Sequence, residues 1–250
     1  MTDTNFKFTP QVVLLPFFFV LAMWVVFWAE ARFNLNLGHY GILPRTIDGL
    51  GGIVFSPFIH GNLEHIYNNS LPLLILLAAL SYFYHEVTFK VVLFGIILSG
   101  LITWVIGRES HHIGASGLIY VLVSFIFFKG IMTKYYRLVA LSLLVIFIYG
   151  SMVWYVFPDI EAGISWEGHL GGLISGFVFA IYFKTAEYKK LIRYDWERPD
   201  YNSAEDKFLQ RFDEQGNFVN PPKPEPEAEP GDEPAVTYHY IFKEKDKASE

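Results

Sequence analysis

The apolar residues of this 250-residue chain occur in long blocks, and this feature restricts the possible fold more than any other. A stretch of about twenty apolar residues is long enough for a helix to cross a bilayer, whereas helices of soluble proteins alternate apolar and polar faces. Hydrophobic residues make up 52% of the sequence and aromatic residues 18%, both high for a water-soluble domain. The pattern predicts an all-α membrane protein that crosses the bilayer several times.

Six hydrophobic segments can be marked, and each is expected to form one transmembrane helix. They cover residues 12–28, 57–84, 88–106, 115–130, 136–157 and 166–183. The long Gly-containing connection between the first two segments is of a length that is often functional. The sequence therefore predicts three regions, which are a short N-terminus (1–10), a six-span domain (11–185) and a C-terminal tail (186–250).

The composition changes at about residue 185, where the tail begins. Its charged residues and the Pro-rich stretch 221–230 cannot bury enough apolar surface to fold alone, so disorder is expected. Residues 238–242 are candidates for a short strand or a docking motif. The net charge of −6 comes mainly from this tail, and the chain has no basic patch with interleaved aromatic residues. Nucleic acid is therefore not an expected partner.

Lysine and arginine are enriched in the cytoplasmic loops of membrane proteins, so their distribution predicts the orientation. With six spans, one side of the membrane receives Lys7, Lys90, Lys129, Lys134, Arg137, Lys184, Lys189, Lys190, Arg193 and Arg198. The other side receives only Arg32, Arg45 and Arg108. Both termini are therefore predicted to be cytoplasmic. No small-residue cleavage site follows the first apolar block, so this block is expected to be a retained span. The lack of a transit-peptide pattern and the compact six-span plan favour a bacterial inner membrane over an organelle.

Polar residues within spans are costly, so each is a candidate functional residue. Ser116 opens the fourth segment between Gly114 and Gly117, which leave room for a substrate or another backbone to approach its hydroxyl. The alternative is a small-residue packing site between helices. Tyr120 lies one helical turn further on and could pack against an imidazole, or simply within the core.

His169 opens the sixth segment and shares one helix face with Gly172 and Gly176. Small residues on that face would let the helix approach a neighbour closely while presenting the imidazole at the contact. If the neighbour is the fourth segment, His169 can act as general base for Ser116. The alternative is a histidine hydrogen-bonded within the bundle. Glu167 lies on another side of the helix, so the pair would form a dyad rather than a triad.

His65 and Asn69 are four residues apart at the outer end of the second segment and share one helix face. With the Ser116 N–H, they could stabilise the negative oxygen of a tetrahedral intermediate. The alternative is a polar cluster that hydrates the helix entrance. His60 lies off that face, so a supporting or structural role is expected, and Asn62 is a candidate helix cap.

Metal and thiol chemistry are not predicted. The pair His85-Glu86 lacks a second histidine at zincin spacing, and His111-His112 has no third ligand in the sequence. The chain contains no cysteine, which excludes disulfides and thiolate sites. We therefore expect the protein to use neither a metal ion nor a cofactor.

Three motifs in order resemble those of the rhomboid family of intramembrane serine proteases. They are His-x4-His-x3-Asn, Gly-x-Ser-Gly-x-x-Tyr and His-x-x-Gly-x-x-x-Gly, and the resemblance covers roughly residues 10 to 185. It implies a rhomboid-like bundle in which Ser116 is the nucleophile and His169 the base. It also implies an oxyanion site containing His65 and Asn69, Tyr120 stacked on His169, and His60 as the additional histidine of the second span.

The resemblance further implies that the substrates are single-pass membrane proteins. The predicted topology puts Ser116 and His169 just inside the outer face of the lipid bilayer, so cleavage is expected there. One departure concerns the first loop, which lacks the Trp-Arg pair of many family members, so Arg45 is the candidate anchor.

Two other functions stay open. One is a catalytically silent rhomboid-like protein that binds membrane clients. The other is a small transporter or channel, although the polar residues cluster near one membrane face rather than at the midplane. The sequence does not indicate an oligomeric state.

Overall fold

The computed structural model describes residues 6, 8–158, 160, 163–185, 194–219 and 238–241. The chain divides into two compact units, Met1–Lys190 and Leu191–Glu250. Within the described residues the regular secondary structure is helical, and β-type pairing is limited to two isolated bridges. The prediction of an all-α protein is therefore confirmed.

The first unit contains seven described α-helices. They are α1 (Gln11–Phe33), α2 (Gly52–Phe55), α3 (Leu63–Phe83), α4 (Thr88–Ile106), α5 (Ser116–Thr133), α6 (Tyr136–Tyr149) and α7 (Trp166–Tyr182). Five helices in the described part of the chain are long and apolar enough to cross a membrane, namely α1, α3, α4, α5 and α6 with its 3₁₀ extension. The sixth predicted segment corresponds to α7, which has 17 residues.

The second predicted segment is shorter in the structure than in the sequence pattern. Helix α3 begins at Leu63 because the Asn62 side-chain oxygen accepts a hydrogen bond of 2.8 Å from the His65 N–H. An asparagine cap of this kind satisfies one of the free N–H groups at a helix start. His60 therefore lies in the turn before α3, and its prediction as a residue within the span is corrected. The expected capping role of Asn62 is confirmed.

Helix α5 occupies the centre of the bundle. Its residues 118–126 are all buried, so the helix has no solvent- or lipid-facing side over this stretch. A helix that is apolar on all sides fits such a position. The outer helices instead expose apolar side chains, and Phe147 of α6 is 87% exposed. This distribution is the one expected when lipid surrounds the bundle.

Helix α7 packs against α5 along a row of glycines. A Cβ atom on Gly172 would lie 2.2 Å from the Gly117 carbonyl oxygen, and one on Gly176 would lie 2.3 Å from that of Val121. No other residue fits at these two positions without moving the helices apart. At the far end of the contact, Lys129 Nζ donates to the carbonyl oxygens of Ala180 and of Phe183, the residue that follows α7. The neighbour of the sixth segment is therefore the fourth, as the argument for a Ser–His pair requires.

The first loop is anchored to the C-terminal end of α4. Arg45 Nη1 donates to the carbonyl oxygens of Gly107 (2.6 Å) and Val105 (3.3 Å). Trp104 Nε1 donates to the Thr46 carbonyl at 2.8 Å. The two arginine contacts satisfy carbonyls at the end of α4, where the helix itself offers them no partner. An arginine from the loop and a tryptophan from α4 thus anchor the loop.

The second unit is described only in part. Residues 194–219 form short 3₁₀ turns, and 238–241 carry no regular structure. The Pro-rich stretch 221–230, expected to be disordered, lies outside the described residues, as does Phe242 of the candidate docking motif. The proposed region limits at residues 10 and 185 stay predictions.

Candidate active site

A cavity of about 680 Å³ opens at the end of the bundle where α3, α5 and α7 begin. Its lining includes the predicted site residues His65, Asn69, Ser116, Tyr120 and His169. These residues come from three motifs that are far apart in the sequence, and the fold brings them to one space. All three helices present their N-termini at this end, where the partial positive charge of a helix favours a negative ligand atom.

The His169 ring is held in one orientation by two contacts. It is 6% exposed and stacks on Tyr120, with ring centroids 4.3 Å apart and an interplanar angle of 14°. Its Nδ1 lies 2.9 Å from the Tyr155 carbonyl oxygen. Because a carbonyl oxygen can only accept, Nδ1 carries the proton of the neutral ring. The Nε2 atom is therefore unprotonated and can accept a proton.

A backbone carbonyl thus fixes the orientation and tautomer of His169, which is one of the two tasks of the carboxylate in a Ser-His-Asp triad. The carbonyl belongs to the 3₁₀ helix Gly150–Val156, which continues α6. The same segment holds the stacking partner, since the Tyr120 hydroxyl donates to the Met152 carbonyl at 2.6 Å. Sequence reasoning missed this contribution because a main-chain acceptor leaves no residue-type signal.

Ser116 is the first residue of α5 and is half-buried. The N–H groups of a first helical turn have no acceptor within the helix, so the Ser116 N–H is available to a ligand. Gly114 has φ of +108°, a conformation that side chains disfavour. A Cβ on Gly114 would also lie 2.6 Å from His65 Nε2. Glycine therefore allows the His65 ring to lie against the backbone that leads into Ser116.

Asn69 is buried, and its Nδ2 donates to the His65 carbonyl at 2.9 Å. The amide nitrogen carries two N–H groups, so this bond fixes its orientation and leaves one N–H for the cavity. His60 is not among the residues that line the cavity. It lies behind His65, with ring centroids 4.9 Å apart, and its Nε2 accepts from the Ala115 N–H at 3.4 Å. Burial and the neighbouring His65 lower the pKa of His60 to about 4, which keeps Nε2 free to accept.

A second polar cluster, which sequence reasoning did not find, adjoins the cavity. It consists of Arg108, His112, Ser165 and Glu167. The Glu167 side chain is 1% exposed, and its Oε1 accepts from the Arg108 N–H at 3.0 Å. His112 Nδ1 lies 2.6 Å from Ser165 Oγ, and burial lowers the pKa of His112. The available signal was a carboxylate in the first turn of an apolar helix, where an unpaired charge is costly.

The fold and the cavity together define a helical membrane protein with a serine and a histidine on adjacent helices at one end of its bundle. A family model described as the rhomboid domain matches residues 49–186. The chain belongs to the rhomboid family, whose members are generally intramembrane serine proteases. The resemblance seen in the motifs is thus confirmed, and the protein is an integral membrane protein.

Similar proteins occur in mycobacteria. An uncharacterized protein of Mycobacterium bovis is 34% identical over 184 residues, which cover 68% of this chain and 75% of the relative. An uncharacterized protein of Mycobacterium tuberculosis matches with the same identity and coverage. An uncharacterized protein of Mycobacterium leprae is 36% identical over 167 residues, covering 62% of this chain and 64% of the relative.

Proposed function

We propose that the protein is an endopeptidase that cleaves transmembrane segments of other membrane proteins with a Ser116–His169 dyad. The observation that carries this proposal is the polar cavity, which both side chains line from two helices in glycine-mediated contact. The tautomer of His169 adds support, because its unprotonated Nε2 can take the proton of a serine hydroxyl.

The reaction proceeds in two steps. Ser116 Oγ attacks the scissile carbonyl as its proton moves to His169 Nε2, and the resulting imidazolium then protonates the leaving amine. This yields an acyl-enzyme and the first product. A water molecule from the cavity then attacks the ester, with His169 again accepting a proton, and the second product leaves with the serine regenerated. The Tyr155 carbonyl and the Tyr120 ring hold the imidazole in place throughout.

The negative oxygen of each tetrahedral intermediate is stabilised by donors from residues that line the cavity. The Ser116 N–H and the second N–H of Asn69 Nδ2 are two such donors, and His65 is a third group at the same wall. Removing one donor of this type from a protease costs about 10²–10³-fold in kcat.

The substrate class follows from the difficulty of cutting a helix. The carbonyls of a transmembrane helix are already hydrogen-bonded, so the segment must unwind before attack. Substrates are therefore expected to carry Gly, Pro or other helix-weakening residues near the cut. That they are single-pass membrane proteins is what the resemblance to the rhomboid family implies. The resemblance to the rhomboid family adds a preference for a small residue before the cut.

The topology is part of the proposal. Helix α7 is the sixth span, both termini are cytoplasmic, and the cavity opens outward from a bacterial inner membrane. The bias of lysine and arginine towards one side of the membrane supports this orientation. The site then lies just below the outer surface, where water enters through the cavity.

A fluorophosphonate probe tests the nucleophile directly, because such probes bond covalently to activated serines. We expect labelling at Ser116, identified by mass spectrometry, and its loss in Ser116→Ala. Ser110 also lines the cavity, so Ser110→Ala is the matched control and should label like the wild type. Absence of labelling in the wild type, with no substrate cleavage, would contradict the proposal and favour a protein that binds membrane clients.

A further inference from the structure

The cluster of Arg108, His112, Ser165 and Glu167 joins two separate parts of the chain. Arg108 and His112 belong to the connection between α4 and α5, whereas Ser165 caps the N-terminus of α7 by accepting from the Gly168 N–H. Glu167 Oε1 accepts from the Arg108 N–H, and its Oε2 lies 3.8 Å from Arg108 Nη1 and 4.0 Å from His112 Nδ1. The cluster is therefore a polar link between the segment before Ser116 and the start of α7.

The charge of Glu167 makes this link sensitive to the relative position of the two segments that it joins. A buried carboxylate is costly unless hydrogen bonds and positive charge surround it. Glu167 has a backbone N–H, a guanidinium and the first turn of its own helix, where the macrodipole favours negative charge. Among the described residues, only Oε1 accepts a hydrogen bond, whereas Oε2 has none and lies 3.8 Å from the guanidinium. Moving the connection before α5 away from the N-terminus of α7 would therefore leave the carboxylate without these partners.

The residues of the link are close in sequence to the two proposed reacting residues. Glu167 is two residues before His169, and His112 is four residues before Ser116. The glycine contacts between α5 and α7 set how closely the helices approach. They do not by themselves prevent a small sliding or rotation of one helix against the other. A polar link at the helix starts restrains both movements.

We propose that Glu167 is a positioning residue for the Ser116–His169 pair. Its carboxylate holds the connection before α5 against the start of α7 and thereby sets the spacing between Ser116 Oγ and His169 Nε2. The inference rests on the proposed protease function and assigns a role to a residue that does not touch the substrate. Arg108 extends the link, since its Nη2 also donates to the Ile164 carbonyl in the loop before α7.

Two variants and one control test this role. Glu167→Ala removes both the acceptor and the charge, whereas Glu167→Gln is isosteric and keeps an acceptor for the Arg108 N–H. Glu109→Gln removes the same charge from an exposed neighbouring position and is the control. The measurements are kcat and KM for a single-span substrate in liposomes, the rate of fluorophosphonate labelling, and the melting temperature of each variant.

A misplacement of about 1 Å between reacting groups can cost about 100-fold in rate. For Glu167→Ala we expect kcat to fall about 100-fold with KM nearly unchanged, and the labelling rate to fall in proportion. Glu167→Gln keeps the acceptor for the Arg108 N–H but loses the charge, so it should recover only part of this loss. Glu109→Gln should match the wild type. Parallel loss of kcat and labelling in folded protein is the signature of misplaced groups rather than of weaker substrate binding.

Wild-type kcat and labelling in folded Glu167→Gln and Glu167→Ala would overturn the inference while leaving the proposed function intact. A rise in KM without a change in labelling would also overturn it, because the residue would then act on substrate binding. If Glu167→Ala does not fold, a Glu167→Gln protein with wild-type rates at every pH overturns the inference, and one with reduced kcat and labelling supports it. A wild type that neither cleaves nor labels would overturn the proposed function and this inference together.

Discussion

At the scale of single residues, the candidate site depends on close approaches that a side chain would block. Gly114 lets His65 reach the backbone before Ser116, and Gly172 lets α7 reach α5. These glycines are needed for space, and Gly114 also for its left-handed backbone conformation. A substitution among the residues that line the cavity should preserve the site only if it leaves this backbone geometry unchanged.

Replacing Gly172 with alanine tests the helix contact. The new Cβ would lie 2.2 Å from the Gly117 carbonyl oxygen and 2.7 Å from Tyr120 Cβ, so α7 must shift. We expect a loss of about 1–3 kcal/mol in the free energy of unfolding and a lower cleavage rate. Gly51→Ala is the control, because the nearest atom to its new Cβ is 4.0 Å away. Thermal unfolding in detergent compares the two, and equal stability would contradict the packing argument.

His60 predicts a pH dependence of stability. Its pKa is lowered from 6.5 to about 4 by burial, so the folded state binds fewer protons than the unfolded state between these values. The contribution of neutral His60 to the free energy of unfolding is fully present above pH 6.5. It is lost as the pH falls towards 4, and the loss is about 3 kcal/mol for this one group. His60→Gln, which keeps an acceptor for the Ala115 N–H, should flatten the curve over this range. Parallel curves for the variant and the wild type would contradict the assignment.

At the scale of elements, α6 and its 3₁₀ extension differ from the rest of the bundle. Only 17% of the residues in this span are buried, against 56% in α5. Yet the carbonyls of Met152 and Tyr155 in the extension hold Tyr120 and His169. Among the five candidate spans, the one with the smallest buried share therefore also orients His169, the proposed base. If α6 moved outward to admit a substrate, the two carbonyls would move with it and the orientation of the His169 ring would change.

Trp154 tests whether substrates enter beside this span. Its side chain is 62% exposed on the extension of α6, where it would face a helix arriving from the lipid. If opening limits the rate, Trp154→Ala should raise cleavage of a single-span substrate by about two- to fivefold. Fluorophosphonate labelling should change little, because the small probe enters from water. Trp28→Ala on α1, with 59% exposure, is the matched control. An unchanged cleavage rate for Trp154→Ala would argue against this route.

At the scale of the whole molecule, the sequence contained enough to predict the helical segments and the residues that meet at the cavity. Long apolar blocks predict helices, and the offsets around Ser116 and His169 predict which faces approach. The Tyr155 carbonyl and the partners of Glu167 could not be predicted, because both depend on how distant segments fold against each other. The 3₁₀ helix after Tyr149 was also missed, since a continuous apolar run does not reveal a change in hydrogen-bond register.

The proposed dyad of Ser116 and His169 hydrolyses a peptide bond in a membrane-embedded substrate. The most direct measurement is cleavage of a single-span substrate in liposomes by the wild type, Ser116→Ala and His169→Ala. Melting temperatures should show that all three proteins are folded. We expect cleavage by the wild type and a loss of about 10³-fold or more in each variant. Equal cleavage by all three proteins would contradict the assignment of the dyad.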